Sequence, residues 1–170
     1  RAGTKLMNKY QQTQERKRAI DVLAGIGSEE AIVALLKRYQ YRTESTIVDE
    51  DEKETVFNVC VNLGERAVPG LEQYIATETG IYWPVKALRK IVGDERAAEH
   101  LLSTIDAMED TFGVNRGRLE ELVDNLRPLA ELDTVFEVLT GMLKHEDEEI
   151  VIRAVDGLVD EDDPGGENGF

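Results

Sequence analysis

The sequence predicts an all-α fold: an α-α superhelix, or solenoid, of about four helical hairpins plus a partial fifth. Three observations predict it. Apolar residues recur at three- and four-residue steps along most of the chain. The periodic runs are short and are stopped by glycine, at Gly27-Ser28, Gly64 and Gly93-Asp94. The residues expected to open each second helix, Ala31, Ala67, Ala97 and Val135, are each followed four positions later by leucine, at Leu35, Leu71, Leu101 and Leu139. Their spacing drifts through the thirties. Hairpins of that length cannot bury their apolar stripes alone, so they must stack on neighbours of the same kind.

The repeated unit is clearest from Lys17 to Tyr39. Its first helix carries Ala19, Ile20, Leu23 and Ile26, and its second carries Ala31, Ile32, Leu35, Leu36 and Tyr39. Gly27 can adopt the left-handed conformation that closes a helix, and Ser28 can cap the next one. Ahead of it, Arg1, Lys5, Lys9, Arg16, Lys17 and Arg18 are opposed only by Glu15. Leu6, Met7 and Tyr10 are expected to begin a helix running into Ile20, with residues 11–17 as its solvated face. A sharper alternative makes this basic end an edge for an acidic partner, or the stub of a missing segment.

The repeats are placed at about 5–42, 52–78, 84–110, 115–145 and 147–160, within one domain of residues 1–160. In the second, Val56, Phe57, Val59, Cys60 and Leu63 precede Gly64, and Ala67, Val68, Leu71, Tyr74 and Ile75 follow it. Pro69 falls in a first helical turn, where its missing N–H costs little. In the third, Pro84 suits a first helical position, and Val85, Leu88, Ile91 and Val92 lead to the stop at Gly93. Asp94 then caps a helix carrying Ala97, Ala98, Leu101, Leu102 and Ile105. In the fourth, Leu119, Leu122, Val123 and Leu126 run up to Pro128, which bends or ends the helix. Asp133 is expected to cap the next, with Val135, Phe136, Leu139, Met142 and Leu143. The fifth has Ile150, Val151, Ala154, Val155 and Leu158 but no second helix. Its apolar face is therefore expected to stay partly uncovered, through truncation or for self-association. Residues 161–170 read as an acidic flexible tail.

Composition narrows the function classes. The 170 residues hold 35 acids against 20 bases, a formal net charge of −15. That opposes nucleic-acid binding, which needs clustered positive charge, and docking on an anionic membrane. No apolar run approaches the roughly 20 residues a membrane span needs, and no signal peptide is visible. A cytoplasmic location is expected, although the chain opens on Arg1 and not methionine, so an upstream portion is expected to have been removed. The single cysteine, Cys60, lies in an apolar run, FNVCVNL, and reads as a small buried hydrophobe.

The residues resemble HEAT repeats, especially the short bacterial kind associated with phycobiliprotein lyases. A basic residue before a small one stands at Arg18-Ala19, Lys86-Ala87 and Arg153-Ala154. Leu23-Ala24-Gly25-Ile26-Gly27 and Ala87-Leu88-Arg89-Lys90-Ile91 continue the motif. The acidic turns are Ser28-Glu29-Glu30, Glu65 and Asp94-Glu95. The second repeat departs from it at Thr55-Val56, and the fourth at Glu121-Leu122 and Pro128. The resemblance covers about residues 17–159. It implies an armadillo-like scaffold that binds another protein on the concave face formed by its second helices, without enzymatic activity. A phycobiliprotein-lyase-like maturation or modification factor is the alternative. HEAT-like DNA glycosylases are a third class, opposed by the charge.

Counting from each opening residue gives the side chains off the apolar stripe. The rows are Glu30, Arg66, Arg96, Thr134; Val33, Pro69, Glu99, Glu137; Ala34, Gly70, His100, Val138; and Lys37, Gln73, Ser103, Gly141. Lys37, Tyr41, Arg66, Gln73, Arg96 and His100 are the expected partner contacts. No catalytic, cofactor or metal site is expected. His100 and His145 lack HExxH or CxxC-type company. Gly113 to Gly117 reads as a joining segment. The acidic runs at 44–54 and 147–163 lack the mid-loop glycine of a calcium loop and read as solvated surface, the first as a long connection. Tyr82-Trp83-Pro84 places the one tryptophan at a helix entrance, packed on its own helix or standing as an exposed anchor.

Overall fold

The computed structural model describes residues 1–10, 12–109 and 115–159. Among these the chain is all-α, with no strand. Of the expected joining segment at residues 113–117, 113 and 114 lie outside the described residues, as does the acidic tail; Arg116 and Gly117 are helical and not part of a connection. The chain divides into two compact units, Arg1–Gly93 and Asp94–Phe170.

The first unit contains α1 (Ala2–Met7), α2 (Thr13–Ile26), α3 (Glu29–Leu36), α4 (Thr46–Leu63), α5 (Val68–Thr77) and α6 (Tyr82–Val92). Helices α2, α4 and α6 meet one another in chain order. So do α1, α3 and α5. The turn between α2 and α3 forms for the reason its residues suggest. Gly27 sits at φ 62°, a left-handed conformation, and its N–H donates to the Leu23 carbonyl at 3.0 Å. The Ser28 hydroxyl accepts from the Ala31 N–H at 3.2 Å. Gly64 and Gly93 end α4 and α6, as expected.

The opening and leucine positions placed on the core face by their spacing are buried. Ala31, Ala67, Ala97 and Val135 are all buried, and Leu35, Leu71, Leu101 and Leu139 have no exposed surface. Each such leucine contributes about 1.5–3 kcal/mol by leaving water. Gly70 on α5 serves close approach to α3. A Cβ at Gly70 would stand 2.6 Å from Ile32 Cβ, on α3. Gly70 is buried, not on the off-stripe row where counting placed it.

Further expectations are corrected in this unit. The basic N-terminal stretch is two helices and not one. Asn8 is extended (φ −89°, ψ 98°), and its side-chain oxygen accepts from the Tyr10 N–H, so the chain turns back. α1 then lies on α2 and α3 with Leu6 fully buried. Second, the acidic run at 44–54 is mostly helix. Ser45 caps α4 by accepting from the Val48 N–H, and Asp49 and Glu52 are buried. Third, Arg16 is buried and not on a solvated face. Fourth, Ile26, assigned to the apolar stripe, is 58 % exposed, and Pro84 is the third residue of α6, not the first.

The second unit contains α7 (Asp94–Asp106), α8 (Arg116–Leu126), α9 (Asp133–Met142) and α10 (Glu148–Val159). Pro128 lies in the short 3-10 turn Arg127–Leu129 that ends α8. Asp133 opens α9 without a side-chain capping bond, contrary to expectation. α7 touches α8 and α9, and α10 packs on both α8 and α9. Ile150 and Ala154 are therefore fully buried, although Ile150 was expected to be partly uncovered. Ile152, Val155 and Val159 remain exposed on α10, and Phe136 is half-exposed on α9. Arg116 bridges α8 to Asp147 at 2.6 Å, and Arg153 on α10 pairs with Asp124 and Glu120 of α8.

Candidate functional site

The first unit holds an open groove of about 480 Å³, walled by α1, α3 and α5. Glu30, Val33 and Ala34 come from α3, Lys37 from the 3-10 turn that follows it, and Gln73 from α5. These are the off-stripe positions of the first repeat and one of the second. The third wall is α1, through Gly3, Thr4 and Met7. α1 can lie this close because both facing residues are small: a Cβ at Gly3 would stand 3.5 Å from Ala34 Cβ. The floor is apolar at Met7, Val33 and Ala34. One rim is polar: Lys37 Nζ lies 3.9 Å from Glu78, which also accepts from the Gln40 amide at 3.0 Å.

The six expected contact residues separate into groups. Lys37 and Gln73 line the groove together. Tyr41 is placed elsewhere: its hydroxyl donates to the Leu6 carbonyl, and its ring lies 4.3 Å beneath the Arg38 guanidinium. Tyr41 thereby ties α1 down. Arg66 is exposed, and its guanidinium reaches the turn at Gly27, 3.1 Å from where a Cβ would stand. Arg96 and His100 lie on α7 in the second unit, Arg96 exposed and His100 half-buried.

Behind the α1 wall lies a buried ionic cluster that periodicity did not reveal. Arg38 Nε donates to Glu52 at 2.7 Å, and its Nη2 donates to Asp49 at 2.7 Å. Arg16 Nε donates to both oxygens of Glu52, at 2.9 and 3.1 Å. Lys53 pairs with Asp49 at 2.7 Å, and the Thr43 N–H donates to Asp49 at 3.0 Å. Three cations thus hold two carboxylates. Burial works to raise the Asp49 pKa, but Lys53, Arg38 and the Thr43 N–H prevail and bring it down to about 2. Burial alone disfavours the charged Arg38; its bonds to Asp49 and Glu52 outweigh this and raise its pKa. A sequence signal for the cluster exists. Asp49, Glu52, Val56 and Cys60 follow one helical face, and all four are buried.

Trp83 packs between elements. It stacks on Tyr39 at 6.1 Å and 8°, and meets Phe57 of α4 edge-on at 5.8 Å. It is half-buried, with Lys86 4.8 Å over its ring. Its role is to join α6 to the preceding hairpins, so packing on its own helix is only part of its environment. Cys60 is fully buried, and burial pushes its thiol up to about 12.

No family model, curated protein or solved structure matches this chain. Among the described residues no group of three or more His, Cys, Asp or Glu is placed to hold a metal ion. No described helix is long and apolar enough to cross a membrane. His145 is half-buried and accepts from the Asp147 N–H through Nδ1 at 2.9 Å.

Proposed function

We propose that this chain is a non-enzymatic, HEAT-like scaffold that binds another protein along its second helices, in the groove between α1, α3 and α5. The observation that carries this reading is the groove itself. It has an apolar floor of Met7, Val33 and Ala34, with Glu30, Lys37 and Gln73 around it. An apolar floor with a few polar groups fixes the orientation of a bound segment. The occupant is a short peptide segment of the partner, presenting an apolar side chain to the floor and hydrogen-bonding groups to Lys37 and Gln73. The groove brings together one carboxylate and one ammonium, and Lys37 already faces Glu78. That set suits recognition more than bond-making. The superhelical reading draws support from the first unit, where α2–α4–α6 and α1–α3–α5 meet in chain order.

The test is comparative co-purification from native extract. Met7→Glu and Gln73→Trp alter exposed groove residues, and Val22→Glu alters an exposed apolar residue on α2 away from the groove. A protein retained by the wild type and by Val22→Glu, but lost from both groove variants at unchanged melting temperature, is the expected result. Equal retention by all four chains would remove the groove from consideration.

A further inference from the structure

A second recess, of about 350 Å³, lies between the start of α2 and residues 42–48. Its lining differs in kind from the groove. Lys9, Arg16 and Arg42 supply three cations, Thr13, Thr43 and Ser45 supply three hydroxyls, and Glu44 supplies one carboxylate. We infer that this recess is an anion site, and that its ligand carries a phosphate monoester.

The charge arrangement carries the inference. In a chain of net charge −15, anions are repelled by most of the surface. Here cations outnumber carboxylates. Arg16 is held rigidly, since its Nε is fixed by both oxygens of Glu52. Its Nη1 and Nη2 point the other way, toward the Lys9 carbonyl at 3.5 Å and the Thr13 hydroxyl at 3.4 Å. Lys9 and Arg42 form no ion pair among the described residues. The Lys9 ammonium rests over the Tyr10 ring at 4.9 Å.

The hydroxyls favour a phosphate over a simple halide. The Thr13 hydroxyl accepts from Arg16, and Ser45 Oγ accepts from the Val48 N–H, so each keeps its own O–H to donate. A tetrahedral oxyanion can take bonds from such donors and from the exposed Arg42 guanidinium at once. The buried cluster holds the wall of the recess in place. Asp49 and Glu52 anchor Arg16, Arg38 and the Thr43 backbone from behind. The recess is distinct from the groove, and this inference stands without the partner reading.

Titration calorimetry on the full chain tests it, with inorganic phosphate, a phosphothreonine peptide, its unphosphorylated counterpart and adenosine monophosphate as probes. Saturable binding of inorganic phosphate is expected. A tighter peptide or a tighter nucleotide also supports the site and identifies the source of the phosphate. Arg42→Gln and Lys9→Gln should each weaken binding by roughly tenfold or more. Glu44→Gln, which removes the opposing charge, should tighten it. All three positions are exposed, so the fold should persist. Lys90→Gln, exposed on α6, is the control for bulk charge and should change nothing. No saturable binding of any phosphorylated probe, or affinities unmoved by Arg42→Gln and Lys9→Gln, overturns the inference. So does an equal loss in Lys90→Gln.

Discussion

Arg38 and Glu52 lie 14 positions apart and meet at 2.7 Å inside the first unit, with the Arg38 side chain wholly buried. Glu52 also holds Arg16, so one carboxylate joins α2, α4 and the 3-10 turn after α3. The cost of removing one member of such a cluster is large, because the remaining charges stay buried without their partner. Glu52→Gln should destabilise the first unit by about 3–5 kcal/mol. That corresponds to a fall in its melting temperature of roughly 10 °C or more. Thermal unfolding followed by circular dichroism checks this; an unchanged midpoint would mean the cluster adds no net stability.

Acid sensitivity follows from Asp49. Its pKa is lowered from 3.8 to about 2 in the folded chain. The unfolded chain therefore binds more protons between these values. The stabilisation is fully present above about pH 4 and is lost as pH falls toward 2, amounting to about 2 kcal/mol. Asp49→Asn should remove this part of the acid limb. Identical acid-unfolding profiles for the two chains would contradict the assignment.

Close approach between α3 and α5 rests on Gly70. An added Cβ would meet Ile32 Cβ and Cγ2 at 2.6 Å, and neither atom is the far end of a flexible chain. Gly70→Ala should therefore cost about 1–3 kcal/mol by overpacking, despite alanine's better helix propensity. Ala31→Leu and Ala97→Leu should cost the same order, since both positions are buried. Denaturant midpoints of the three variants test this together. A Gly70→Ala chain as stable as the wild type would show that the two helices can separate freely.

Cys60 should be inert in the folded chain. It is fully buried and its thiol is pushed up to about 12, so almost no thiolate is present near neutrality. Disulfide-exchange reagents should label it only as fast as the unit opens, and promptly in denaturant. Prompt labelling of the native chain would refute the buried assignment.

The helices and their register were legible because apolar spacing reports burial. Ala31, Leu35, Ala67 and Leu71 could be placed on the core face from spacing alone. The start of α4 was not legible, because its inward face there uses Asp49 and Glu52 instead of apolar residues. Their neutralising partners, Arg16 and Arg38, come from other helices, and no local pattern records that pairing. Most of the groove was legible too: Glu30, Val33, Ala34, Lys37 and Gln73 follow from the helical count. The α1 wall was not, because a six-residue helix gives too short a period to read, and the turn at Asn8 that folds it back leaves little trace.

The most direct test of the central claim is site-specific photo-crosslinking. A photoreactive phenylalanine analogue is placed at Gln73, inside the groove, or at Asp21, exposed on α2. Irradiation in native extract should join one defined protein to the Gln73 probe and leave the Asp21 probe unmodified. A defined adduct from Asp21, with none from Gln73, would place the partner on α2 and contradict the proposal.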